Sequence, residues 1–178
     1  DATEGEVFVN DINVKEYDLN ALREDIVTMV LQKAELFSGT IKDNIGWGKK
    51  DASMEEIIEA SKIAQAHDFI SGFENGYDTI VAEKGASLSG GQKQRISIAR
   101  ALIRKPEILI FDDSTSALDF KTEANLYKDL NEKMSDTTVI IIAQRVASVR
   151  NADKILIIND GIIEAFGPHE ELINTSET

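Results

Sequence analysis

Apolar positions along the chain gather into three short runs, Ile108–Phe111, Val139–Ala143 and Ile155–Ile158, each closed by polar residues. Continuous apolar runs of this length read as buried parallel strands. Helical patterns separate them, which is the βαβ rhythm of an α/β fold. A further strand pair is expected around Glu6–Val9 and Ile162–Ala165, and another strand at Ile26–Val30.

The middle of the chain has a different period. Ser53-Met54-Glu55-Glu56 is a capping box, and Ile57, Ile58, Ala60, Ser61 and Ala64 form a helical stripe behind it. A second helix, opened by Gln92, carries Ile96, Ala99, Leu102 and Ile103 on one face and is closed by Pro106. The span from about Leu36 to Lys105 therefore reads as mainly helical, inserted between strand-bearing segments. No internal repeat, low-complexity tract or linker interrupts it.

With 178 residues and 42% hydrophobic content, the chain supports one domain with a real core. A formal net charge of −13 argues against a nucleic-acid surface and reads as a solvated acidic face. The absence of cysteine excludes disulfides and thiolate metal sites. Every apolar run falls far short of the roughly 20 residues a membrane helix needs, so no direct membrane insertion is expected. Asp1-Ala2-Thr3-Glu4-Gly5 is too acidic and polar for a signal peptide, and a start without Met reads as a piece of something longer.

Two segments carry the chemistry. Leu88-Ser89-Gly90-Gly91-Gln92 puts two glycines and a hydroxyl at the mouth of a helix, where unpaired N–H groups and the dipole favour a phosphate. The dipole alone contributes roughly 0.3–1 kcal/mol at an exposed site. Taken by itself, Ser-Gly-Gly is equally an ordinary turn before a helix. The second segment, Ile108–Phe111 followed by Asp112 and Asp113, ends a strand in two carboxylates suited to hydrated Mg²⁺. The same pair, with Ser114 and Thr115, could instead cap the following helix. His67 and His169 lack metal-ligand spacing and read as surface residues, and Trp47 reads as packing on the helical insert, with an outward role toward a partner helix as the alternative.

The order and spacing of these segments resemble the nucleotide-binding domain of an ABC transporter over essentially the whole chain. Leu88–Gln92 matches the signature motif, Ile108–Asp113 the Walker B strand, Ser116–Asp119 the D-loop and Gln32 the Q-loop glutamine. Leu36–Ile41, Glu83-Lys84-Gly85 and Gly167–Leu172 resemble segments of the exporter branch. The resemblance implies an α/β P-loop NTPase (RecA-like) fold, with a parallel-sheet core, an inserted helical subdomain and truncation at the N-terminus. Residues 1–35 and 106–178 would form the core, and 36–105 the signature subdomain. It implies ATP and Mg²⁺ as ligands. Ser89, Gly90 and Gly91, with Gln92, would meet the γ-phosphate of ATP held by a second nucleotide-binding domain. Asp112 would hold Mg²⁺ on this chain's own nucleotide, Gln32 would sense metal and γ-phosphate, and Asp119 would position groups across the interface. The coupling helices of a transmembrane domain would be the other partner, placing the chain at the cytoplasmic face of the cell membrane.

Three departures from the family pattern stand out. The Walker A loop and the adenine-stacking aromatic upstream of it are absent, so this polypeptide alone is expected to bind MgATP weakly or not at all. Asp113 stands where most members carry the catalytic glutamate; its carboxylate falls about 1–1.5 Å short, a misplacement that costs on the order of 10²-fold in rate. Gln144 replaces the switch histidine and cannot carry a proton or positive charge. Together, Asp113 and Gln144 resemble the degenerate half of a heterodimeric exporter, whose signature completes the partner's site. The alternatives are a non-hydrolysing ATP-binding module and a soluble ABC ATPase; the exporter-like runs and the acidic charge count against the latter.

Overall fold

The computed structural model describes residues 2–81 and 87–175. The Glu83-Lys84-Gly85 segment lies outside the described residues. The chain opens with a hairpin of β1 (Phe8–Val9) and β2 (Ile12–Asn13), then passes through a short turn α1 (Leu19–Ala21) into β3 (Val27–Val30). Next come β4 (Gly39–Thr40), α2 (Ile41–Gly46), α3 (Met54–Ile63), α4 (His67–Ser71) and β5 (Ile80–Val81), the last antiparallel to β4. Helix α5 (Gly90–Leu102) leads to β6 (Ile108–Asp112), α6 (Phe120–Lys133) and β7 (Thr138–Ile142). The described chain ends with α7 (Val146–Val149), β8 (Ile155–Asn159), β9 (Ile162–Gly167) and α8 (His169–Thr175).

The parallel sheet has the order β3-β6-β7. Val27 is in register with Ile108, and Ile108 with Thr138, so β6 is the central strand. Leu109 and Phe111 point from it into the core and are fully buried. The two-sided burial expected of these strands is not found on β7, where Ile140 and Ile142 are about half exposed while Val139 and Ile141 pack on the core.

Two expected pairings are corrected. Ile155–Ile158 is not a parallel strand, because β8 pairs antiparallel with β9. Nor do Glu6–Val9 and Ile162–Ala165 pair with one another; each lies in its own local hairpin. The turns explain both. Asn10 and Asp11 (φ 49° and 61°) and Asp160 and Gly161 (φ 48° and 78°) are all left-handed. Two consecutive positive-φ residues match the right-handed twist of adjacent strands and fold them directly onto each other.

Helical caps follow the sequence closely. Ser53 and Glu56 cap α3 reciprocally, and Ser89 and Gln92 do the same for α5. Helix α5 thus begins at Gly90, two residues before the expected start, because Ser89 supplies the cap and Gln92 reaches back to it. Each such cap is worth about 1 kcal/mol. Helix α5 buries Ile96, Ile98, Ala99 and Leu102 against α2, α3 and β3 in one continuous core. A fully buried Ile or Leu contributes roughly 1.5–3 kcal/mol. Among the described residues no helix is long and apolar enough to cross a membrane.

Candidate nucleotide site

Strand β6 delivers Asp112 and Asp113 to the carboxyl end of the sheet, where ligands of open α/β folds bind. Asp112 is half-buried, and its carboxylate makes no hydrogen bond or ion pair among the described residues. Asp113 leaves the strand in a left-handed conformation, φ 45°. Its N–H donates to the Ile142 carbonyl at 2.8 Å and its carbonyl accepts from Ser116 Oγ at 2.8 Å. So pinned, its carboxylate accepts from Gln32 Nε2 at 2.9 Å. Neither aspartate caps the next helix: that role belongs to Asp119, which removes the capping alternative for the pair.

Asp119 Oδ1 accepts from the Thr122 N–H at 3.0 Å and Oδ2 from the Thr122 hydroxyl at 2.7 Å. The Thr122 hydroxyl, then its N–H, hold the Asp119 carboxyl below the ordinary carboxylate value. The loop leading to Asp119 lies against the signature. A Cβ built on Gly91 would sit 3.1 Å from the Ala117 carbonyl oxygen, whereas one on Gly90 would meet nothing within 4 Å. Gly91 therefore serves a close approach within the chain, and Gly90 faces open space. Ser89 and Gln92 spend their side chains on each other's backbone, at 3.3 and 3.0 Å. Arg95 anchors the helix from behind, donating to the Gly91 carbonyl at 3.2 Å and the Gln65 carbonyl at 2.7 Å. Burial lowers the pKa of the Arg95 guanidinium.

Gln144 follows β7 and is exposed; among the described residues no hydrogen bond joins it to Asp112, Asp113 or Gln32. The structure thus brings Gln32 and Asp113 into contact and joins Gln144 to neither by a hydrogen bond. Its neighbour Arg145, which sequence reasoning passed over, donates to the Ser116 carbonyl at 3.2 Å and covers the Phe120 ring at 5.7 Å. Arg145 had no signal beyond adjacency to Gln144.

Other sequence expectations resolve simply. His67 is structural, its Nδ1 lying 2.9 Å from the Tyr77 hydroxyl. Trp47 packs from the surface, 70% exposed and stacked on Phe37 with centroids 4.8 Å apart. Arg100 lies under that Phe37 ring at 4.9 Å and donates to the Asn44 and Glu35 carbonyls at 2.7 and 2.9 Å.

A family model described as ABC transporter matches residues 1–116, a span that contains both the signature and the Walker B strand. The chain belongs to the ABC transporter family. It is 48% identical to ABC transporter B family member 1 of Dictyostelium discoideum, across 99% of this chain and 19% of that protein. It is 45% identical to the putative multidrug export ATP-binding/permease protein YgaD of Bacillus subtilis, across 98% of this chain and 30% of that one. A bacterial Atm1-family ABC exporter with ATP bound superposes with a TM-score of 0.94 at 37% identity, covering 99% of this chain and 31% of the exporter. The chain therefore spans 19 to 31% of the length of these relatives. Its fold is that of an ABC transporter nucleotide-binding domain, the α/β class read from the sequence.

ABC transporter domains of this kind bind ATP with Mg²⁺, hydrolyse it and work in pairs with transmembrane domains. The donor set here fits a share of that task. Among the described residues no cluster of three or more His, Cys, Asp or Glu could cage an ion. A single free carboxylate at a strand end suits Mg²⁺, which keeps waters and phosphate oxygens as its other ligands.

Proposed function

We propose that this chain is an ATP-binding domain of an ABC exporter whose own site is degenerate and whose signature completes the site of a partner domain. The observation that carries the reading is the Gln32–Asp113 contact at 2.9 Å. The Q-loop glutamine engages this acid, whose carboxylate ends one methylene nearer the backbone than that of a glutamate. Gln144 beyond β7 supplies no imidazole. Within this reading Asp112 holds the metal, Gln32 senses metal and γ-phosphate, and Asp113 is a weak base. When bound, MgATP supplies the phosphoanhydride and a cation that neutralises its developing charge.

On the other face, Ser89, Gly90, Gly91 and Gln92 engage the γ-phosphate of ATP held by a second nucleotide-binding domain, in a heterodimer, and Asp119 positions groups across that interface. The open approach to Gly90 supports this assignment. Coupling helices of a transmembrane domain dock on the exposed Phe37–Trp47 pair, at the cytoplasmic face of the membrane. Residues 1–35 with 106–178 form the core and 36–105 the signature subdomain. This polypeptide alone is inactive and binds MgATP weakly; micromolar binding by calorimetry overturns that part.

Steady-state ATP turnover of the intact transporter, with and without Asp113→Ala, tests the reading. Nearly unchanged turnover supports a degenerate site. Collapse to background identifies Asp113 as a working base and favours two equivalent sites.

A further inference from the structure

Behind the loop that carries Asp113 and Asp119 lies a carboxylate that the nucleotide reading leaves unused. Glu123, in the first turn of α6, is 4% exposed. No lysine or arginine pairs with it among the described residues. A buried carboxyl group needs hydrogen-bond partners, and here two hydroxyls supply them on a single oxygen. Glu123 Oε1 accepts from Thr115 Oγ1 at 2.6 Å and from Ser148 Oγ at 2.8 Å. The Tyr127 hydroxyl, one turn further along α6, lies 3.3 Å from the same Thr115 hydroxyl.

The two donors come from different parts of the site. Thr115 sits in the loop between Asp113 and Asp119, and Ser148 sits in α7, just after Gln144. Helix α7 has four residues and none of them is buried, so it has little packing of its own to hold it. Arg145 adds a second tie between the same two segments through the Ser116 carbonyl. We infer that Glu123 is a positioning residue that locks the Gln144 segment to the Asp113–Asp119 loop, so that the two move as one unit. At a buried oxygen the loss of such hydrogen bonds is not repaired by water.

This inference takes from the nucleotide reading only the identity of the two segments, and its test does not require the site to hydrolyse ATP. Hydrogen exchange in the intact exporter, without nucleotide, compares Thr115→Val, Ser148→Ala, their double variant, Glu123→Ala and Glu123→Gln. Ser148→Ala is expected to speed exchange about tenfold in residues 144–150 and also in residues 113–119, on the far side of the carboxylate. Thr115→Val should do the same in reverse, and the double variant should be less than additive. Glu123→Gln, whose amide oxygen still accepts both hydroxyls, should retain protection that Glu123→Ala loses. The idea is overturned if Ser148→Ala loosens α7 alone, if the two single effects add, or if Glu123→Gln behaves as Glu123→Ala. Ser148→Ala removes one oxygen, so it reports even if Glu123→Ala does not fold. Failure here leaves the degenerate-site reading standing, and failure of the Asp113→Ala assay leaves this one standing.

Discussion

The side-chain amide of Gln94, in the signature helix, donates to the backbone carbonyl of Leu31 at 3.1 Å. Gln94 is 2% exposed, and Leu31 precedes the Gln32 that holds Asp113. A buried polar side chain thus ties the signature helix to the segment whose Gln32 contacts Asp113. Gln94→Met keeps the volume and removes the donor, leaving the Leu31 carbonyl short of a partner. It should cost about 1–3 kcal/mol. Thermal unfolding of wild type and variant, compared in the same background, reads the loss.

Two glycines should respond oppositely to the same change. A Cβ on Gly48 would lie 2.0 Å from the Arg100 carbonyl oxygen and 2.7 Å from Ile103 Cγ2, so Gly48→Ala forces α2 and α5 apart. It is expected to destabilise by about 1–3 kcal/mol or more, as overpacking does. Gly90→Ala meets nothing within 4 Å and should leave stability within about 0.5 kcal/mol of wild type. If the proposed role of Gly90 is right, that same variant lowers ATP turnover while the protein stays folded.

The degenerate-site reading also predicts a gain. Asp113→Glu restores the missing methylene and Gln144→His restores an imidazole. Introduced together, they should raise turnover of the intact transporter by about tenfold or more, given the 10²-fold scale of such misplacements. A double variant no faster than wild type would count against geometry as the cause.

Asp119 gives the start of α6 a defined pH response. Hydrogen bonds from the Thr122 hydroxyl, then its N–H, hold the folded pKa below the ordinary 3.8. A depressed folded pKa means the carboxylate's stabilising contribution is complete above that ordinary value and is lost as pH falls through the lowered one. Amide protection at Phe120–Glu123 should therefore weaken on acidification below about pH 4. Asp119→Asn keeps a good cap without titrating, so its protection should stay level through the same range.

Much of the fold was legible because it is encoded locally. The capping box of α3 lies within four consecutive residues, and β6 and β7 are built on continuous apolar runs. The signature, the strand-end aspartates and the D-loop are equally contiguous, so they carried the resemblance to the ABC transporter family. Strand partners were less legible. The turn at Asp160-Gly161 decides that β8 folds back onto β9, and an apolar run by itself does not say which neighbour it will find.

What the sequence by itself determined is local: an α/β chain, its main strands and helices, and the motifs that tie it to the ABC transporter family. Only the tertiary structure decided which of them touch. Gln32 and Asp113 meet across 81 residues, and Glu123 joins hydroxyls from two separate segments. Gly48 is glycine because the Arg100 backbone runs past it. Periodicity and caps act over one or two turns, whereas these contacts exist only once a common core has brought distant segments to van der Waals distance.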